Sequence, residues 1–228
     1  MCTVTVLERL HAKIITVNRD EQRTRAEEFP PVLWPDSPMI APRDGHAGGT
    51  WVGVTAHGHW ACILNSYVAH TPSTQAPSRG AIIPALLSYP APDTALMAMD
   101  FSAYRPFRII LGDTNDWQLF HWDGQTLIAE AKSDGHDFFI TSSSWNEASV
   151  LAARKNAFAR WQQSGSPYDD KGIATIHRWQ EAGDAASSIL MERENTKTTS
   201  ITQITLADGA APVMQYWPAA EVTPLSLR

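Results

Sequence analysis

The sequence predicts an α+β fold built on mainly antiparallel sheets. Three observations carry this prediction. Strand-like runs come in blocks rather than alternating with helices, short Asp-Gly and His-Gly links join neighbouring runs, and one long segment, 146–163, holds a helical period. No internal repeat or linker interrupts the 228 residues, so the chain reads as a single domain, 1–228.

In chain order, 3–7 and 13–17 are β-branched runs about a short polar link and form a hairpin. A charged stretch, 21–29, then enters an irregular loop, because Pro30, Pro31, Pro35, Pro38 and Pro42 each remove a backbone donor; Trp34 sits within it. Runs 51–55 and 59–65 make a second hairpin about His57-Gly58. A Pro/Ser-rich loop, 71–78, precedes two helical segments, 80–87 and 94–102. Strands 107–112, 117–122, 126–131 and 137–141 follow, joined by turn chemistry such as Asp123-Gly124 and Asp134-Gly135, as an antiparallel meander requires. The longest helix, 146–163, gathers Val150, Ala153, Ala157, Phe158 and Trp161 on one face, and Gly165 with Pro167 ends it. Segment 169–180 reads as a further helix, and 188–192, 200–206 and 213–217 as closing strands.

Composition excludes several function classes. Eighteen Lys+Arg against 24 Asp+Glu give a net charge of −6, which argues against a nucleic-acid partner, since phosphate binding needs concentrated positive charge. The longest mostly apolar stretch, 81–87, carries Pro84 and falls far short of the ~20 residues that span a bilayer, so no integral membrane segment is expected. The N-terminus has no basic leader and reaches charge by Glu8, unlike a secretory signal. Two cysteines, Cys2 and Cys62, make no disulfide framework, and the chain reads as cytoplasmic. Low charge with nine tryptophans suggests enclosed or ligand-facing surface.

Several residues could carry chemistry. Cys2 becomes the N-terminal residue if Met1 is removed, and then owns both a thiol and an α-amine of pKa near ~8 that can serve as its base. Asn18 and Asp20 share one face of their strand while Arg19 takes the other, and pairing with the first strand brings Asp20 back toward Cys2. Gly45, Gly48 and Gly49 permit close backbone approach in the loop before Trp51, and Trp34 and Trp51 are placed near a ligand cleft. No GxGxxG, P-loop or GxSxG sequence occurs. His57 and His59 lack a third ligand in pattern, so they tip a hairpin and no metal is expected; Cys62 reads as an inert core thiol.

Met1-Cys2-Thr3, Asn18-Arg19-Asp20-Glu21, Trp34, Arg43-Asp44, the run from Gly48 to Val54, Asn65 and Ser78-Arg79-Gly80 occur in an order that resembles the NRDE family, also called Transport and Golgi organisation protein 2-like. Tyr104 to Phe107 and Thr141 to Trp145 extend a fainter similarity. The family is in turn similar to the cysteine-type N-terminal nucleophile hydrolases, such as penicillin V acylase and bile salt hydrolase. The resemblance implies a four-layer αββα sandwich with the nucleophile opening a central strand. It makes Cys2 the nucleophile, Asp20 the carboxylate that holds the nucleophile's amine, and Asn65 a side-chain donor to the tetrahedral oxyanion. The sequence departs from that pattern in places. Val17 stands where those acylases carry an arginine, and Arg19 is no obvious replacement. Ser142 stands at the second asparagine position, and Arg154 loosely matches an arginine that follows.

Two functions follow as expectations. One is a cysteine amidohydrolase that cleaves a non-peptide C–N amide bond of a small acylated substrate, with Cys2, Asp20, Asn65, Arg19, Ser142 and Arg154 as its catalytic set and Asn18, Trp34, Gly49 and Trp51 facing the ligand. The other, implied by the family resemblance, is a non-catalytic haem or acyl-CoA/lipid binding and trafficking protein on the same scaffold. No resident cofactor is expected; bound haem would draw an axial ligand from Cys2, His46, His57 or His59, and the sequence selects none of them.

Overall fold

The computed structural model describes residues 2–68 and 76–226. The chain begins with strands β1 (Cys2–Arg9), β2 (Ala12–Gln22), β3 (Glu28–Leu33), β4 (Met39–Asp44), β5 (Val52–Thr55) and β6 (Trp60–Asn65). Helices α1 (Ile82–Leu87) and α2 (Pro92–Ala98) come next, then β7 (Phe107–Gly112), β8 (Trp117–Trp122), β9 (Leu127–Lys132) and β10 (Phe138–Thr141). Helix α3 (Glu147–Gln163), β11 (Thr196–Ala207) and β12 (Val213–Pro218) complete the regular elements.

These strands form two antiparallel sheets. One has five strands in the order β10-β1-β2-β11-β12, the other seven in the order β3-β4-β5-β6-β7-β8-β9. Side-chain alternation along the strands sorts residues into layers. Cys2, Val4, Val6, Ile15 and Val17 face inward and meet Trp51, Val54, Trp60, Cys62, Leu64 and Ile110 of the second sheet. On the outside of that second sheet, Ala61, Ile63, Ile109 and Leu111 pack against Ile82, Ile83, Leu86 and Leu87 of α1 and Leu96 of α2. On the outside of the first, Leu7 meets Ala157, Phe158 and Trp161 of α3. The result is a helix–sheet–sheet–helix sandwich, the αββα architecture that the resemblance implies.

The first hairpin runs in unbroken register from Cys2↔Arg19 to Arg9↔Ala12, and the second hairpin, β5–β6, turns at Gly58. Five local expectations are corrected. The proline-rich stretch after residue 29 is not an irregular loop but the hairpin β3–β4. Pro30 and Pro31 fit there because β3 is an edge strand, where a missing donor faces no partner, and the register shift between Phe29 and Val32 absorbs them. The second helical segment starts earlier, with a proline in its first turn, and stops at Ala98 rather than 102. The meander ends at β9: the next strand, β10, crosses to the other sheet and pairs with β1, Val4 opposite Ile140.

Segment 169–180 is not a helix. Asp169 Oδ1 accepts the N–H groups of Lys171 (2.9 Å) and Ile173 (2.8 Å), Gly172 sits at φ +77°, and only Thr175–Arg178 forms a short 3-10 turn. Segment 188–192 is not a strand either. Side chains take its backbone groups in place of a ladder: Asn18 Nδ2 and Thr198 Oγ1 both donate to the Ile189 carbonyl, and Met191 N–H donates to Thr198 Oγ1. Most of the predicted 71–78 loop lies outside the described residues.

Candidate active site

Cys2 opens β1 between β2 and β10, and only 7% of it is exposed. Its backbone N–H donates to Ser142 Oγ at 3.3 Å, while the Ser142 N–H returns a 3.0 Å bond to the Cys2 carbonyl. Ser142 thus grips the nitrogen of the candidate nucleophile. The Asp20 backbone N–H donates to the thiol sulfur. Burial pushes the thiol pKa up; the Asp20 charge adds to this and Arg19 opposes it. A thiol raised in this way is protonated at neutral pH, so attack through it needs a nearby proton acceptor.

The two faces of β2 do different work. Asn18 and Asp20 turn toward the α3 layer, as their spacing predicts. Asp20 Oδ1 accepts from Thr198 Oγ1 at 2.7 Å, and Oδ2 meets Arg154 Nη2 at 3.3 Å. Arg154 is fully buried although it comes from a helix. The same face of α3 that packs Val150, Phe158 and Trp161 carries it inward. There Nη1 donates to Thr3 Oγ1 (3.0 Å) and Thr141 Oγ1 (2.8 Å), and Nε to the Ser187 carbonyl (3.3 Å). One guanidinium therefore ties β1, β2 and β10 together directly behind Cys2. Burial pulls its pKa down and the Asp20 carboxylate holds it up.

Arg19 turns to the inter-sheet side. It bonds Glu28 at 2.8 Å, Asp44 by a short contact, and Glu21 at 3.3 Å, and it stacks on Trp51 with its guanidinium carbon 4.6 Å from the ring centre. Asp44 also takes Arg25 (2.7 and 2.9 Å) and the Ala47 N–H (2.7 Å). Against the upward push of burial, these partners hold its carboxyl below the ordinary range. Asp44 thus anchors the glycine loop that follows it. That loop presses on residues 79–81: Thr50 N–H donates to the Gly80 carbonyl at 3.0 Å, and a Cβ on Gly49 would lie 2.5 Å from the Gly80 carbonyl carbon. Only a glycine fits there.

Between these walls lies a cleft of about 580 Å³ lined by Cys2, Arg19, Asp20, Gly49, Trp51, Ile63, Asn65, Arg79 and Arg105, among others. Asn65 ends β6 and is half-buried; its Nδ2 lies 3.4 Å from Tyr67 Oη. Burial raises the Tyr67 phenol, the Asn65 bond lowers it, and the charge of Cys2 acts on it from within electrostatic reach. The cleft thus holds a nucleophile and an amide donor, and the Tyr67 phenol bonds that donor.

Of the sequence-predicted residues, Cys2, Arg19, Asp20, Asn65, Gly49 and Trp51 meet at this cleft, and Ser142 and Arg154 support Cys2 from behind. Two do not belong to it. Asn18 is fully buried; its Nδ2 donates to the His177 and Ile189 carbonyls (2.9 and 3.2 Å) and its Oδ1 pairs with His177 Nδ1 (2.6 Å), so it pins the strand to the outer layer and faces no ligand. Trp34 packs on the outer cluster and donates from Nε1 to the Ala41 carbonyl at 3.1 Å, because the stretch that carries it is a hairpin rather than a loop. Sequence reasoning missed Thr198, which lies just before the predicted strand 200–206, and Tyr67, and it gave Thr141 no role although it lay within a quoted motif. Arg79 and Arg105 lay within quoted motifs without an assigned role. Among the described residues no cluster of three His, Cys, Asp or Glu side chains is placed to hold a metal ion, and no helix is long and apolar enough to cross a membrane.

The fold recurs in solved hydrolases. An N-acylethanolamine-hydrolyzing acid amidase ortholog from Caenorhabditis elegans superposes with a TM-score of 0.54 at 10% identity, covering 94% of this chain and 100% of the other. Penicillin V acylase from Agrobacterium tumefaciens gives a TM-score of 0.51 at 10% identity, covering 98% of this chain and 88% of the other. At such identities the likeness is one of fold: an N-terminal nucleophile hydrolase-like scaffold. Comparison with curated proteins returned no match. The family model described as Transport and Golgi organisation 2 matches residues 1–199, which include every residue lining the cleft, and the chain belongs to that family.

Proposed function

We propose that this protein is a cysteine-type N-terminal nucleophile amidohydrolase that cleaves a non-peptide C–N amide bond of a small acylated substrate. The observation that carries this reading is the placement of Cys2 at the head of a central strand, on the cleft that Asn65 also lines, with its nitrogen held by Ser142. Once Met1 is removed, that nitrogen is an α-amine of pKa near ~8, matched to taking the thiol proton near neutral pH. Met1 itself lies outside the described residues.

The sulfur then attacks the amide carbon, and the carbonyl oxygen gains charge against the Asn65 Nδ2 donor. As the C–N bond breaks, the ammonium returns its proton to the leaving amine. Water, deprotonated by the same amine, attacks the Cys2 thioester, releases the acid and restores the thiol. Arg154 touches no reacting atom; paired with Asp20 it fixes the strands from which Cys2 projects.

The test begins with intact mass, to ask whether Met1 is absent. Incubation with an N-acylethanolamine, the bond type named for the worm relative, should then give an acyl adduct on Cys2 and release ethanolamine. Cys2→Ala should remove both signals. Turnover that survives Cys2→Ala overturns the mechanism.

A second reading, a non-catalytic haem or acyl-CoA carrier, draws support from the raised Cys2 thiol and from Val17 at the position of an acylase arginine. Of the four candidate haem ligands, Cys2 and His46 line the cleft, whereas His59 lines a different cavity. Titration with haem and with acyl-CoA decides this: no saturable binding of either removes it.

A further inference from the structure

The charges lining the cleft are unevenly satisfied. Four arginines, Arg19, Arg25, Arg79 and Arg105, and three carboxylates, Asp20, Glu21 and Asp44, line it. Arg19 and Arg25 are taken by Glu21 and Asp44, and Asp20 by Arg154 and Thr198. Arg79 and Arg105 remain. Among the described residues neither enters an ion pair, and residues 69–75, Ala-His-Thr-Pro-Ser-Thr-Gln, include no carboxylate.

The two side chains share one wall. Arg79 Nη1 donates to the Pro106 carbonyl at 2.9 Å, so it is tethered to the loop on which Arg105 is the preceding residue. Its other end is fixed too, because the adjacent Gly80 is clamped against Gly49 and Thr50. Burial and the like charge of Arg105 both push the Arg79 guanidinium down, against the pull of Tyr67, Cys2 and Glu21. Two guanidiniums on one wall and within electrostatic reach of each other, neither in an ion pair and Arg79 half-buried, form a fork that matches an anionic oxygen group.

We propose that Arg79 and Arg105 form an anion subsite, so that the acylated compound bound in the cleft carries a carboxylate or phosphate at this wall while its carbonyl lies at Cys2 and Asn65. The subsite rests on the reading of the cleft as an acyl site, but its failure is separable from the failure of catalysis.

The test uses three probes with one acyl chain: an N-acylglycine (carboxylate), an N-acylphosphoethanolamine (phosphate) and the neutral N-acylethanolamine. Calorimetry measures their binding to the full chain, and mass spectrometry follows Cys2 acylation. One or both anionic probes should bind roughly 10–100-fold tighter than the neutral one, with the preference shrinking as salt rises. Arg105→Gln, at an exposed position, should erase most of that preference and leave neutral binding unchanged; Arg79→Gln should do the same. The ranking of the two anions identifies the preferred group. Equal affinity for all three probes overturns the subsite even if Cys2 is acylated, as does an anion preference that survives both substitutions, or no binding by any probe. An arginine-dependent anion preference with no acylation of Cys2 upholds the subsite and overturns the amidohydrolase.

Discussion

Asp20 and Arg154 meet at 3.3 Å with neither side chain reaching solvent. The pair sits on the α3 side of the first sheet and holds together the strands behind Cys2. Its energetics follow from burial. Two charges out of water offset each other's desolvation only while both are present.

Arg154→Met therefore leaves a buried carboxylate without the Arg154 counter-charge and should destabilise the fold by about 3–5 kcal/mol. Combining it with Asp20→Asn should cost much less than the two single changes summed. Urea unfolding of the four proteins reads this directly, and additive losses would show that the pair is uncoupled.

Asn65→Ala removes the side-chain donor that the proposed chemistry aims at the oxyanion. Turnover should fall about 10²–10³-fold, with KM little changed, because the bond strengthens only as charge develops. Steady-state kinetics on the N-acyl substrate checks this. A loss confined to KM would place Asn65 in ground-state binding instead.

His177 is wholly buried and pushed down from 6.5 to about 3 by desolvation. Its Nδ1–H donates to Asn18 Oδ1 and its Nε2 accepts from Thr5 Oγ1, a neutral tautomer with both nitrogens in use. Its folded pKa lies below its unfolded one, so only the unfolded chain takes up this proton between those values. Stability from this residue is complete above pH 6.5 and drains as pH falls toward 3, at about 1.4 kcal/mol per unit. Urea midpoints measured from pH 7 to pH 4 should fall accordingly, and His177→Gln should flatten the profile.

Gly49→Ala places a methyl against the Gly80 backbone, where no flexible side chain can give way. The cleft wall must shift, costing about 1–3 kcal/mol. Thermal melts should show the loss, and binding of the anionic probes should weaken with it, since Arg79 lies next to Gly80.

Most of the sheet architecture was legible because strand alternation and turn chemistry are local. The hairpin from Cys2 to Gln22 and the pair about Gly58 show in β-branched runs and a His-Gly turn. The proline-rich hairpin β3–β4 was not legible, because whether a proline is tolerated depends on which strand is an edge, and that is a tertiary fact. The crossing of β10 to the other sheet was hidden for the same reason: Asp134-Gly135 marks a turn without saying which sheet comes next. At the site, Cys2, Asp20 and Asn65 could be placed by motif and face. Asn18 could not, since alternation gives its face but not the histidine waiting there. Arg154 is separated from Asp20 by 134 residues, and nothing short of the folded packing of α3 brings the two together.

The residues that hold Cys2 and Asp20 come from far along the chain: Thr141 and Ser142 on Cys2, then Arg154 and last Thr198 of β11 on Asp20. Synthesis at about 5–20 residues per second puts Thr198 roughly 10–40 s behind Cys2. Until then the first strand has no complete sheet to join, and its leading end stays accessible on the ribosome. Under the proposed chemistry, the peptidase that frees the Cys2 amine competes with folding on that clock. Removal of Met1 on the nascent chain would thus have a window of about 10–40 s before the last of these partners is made.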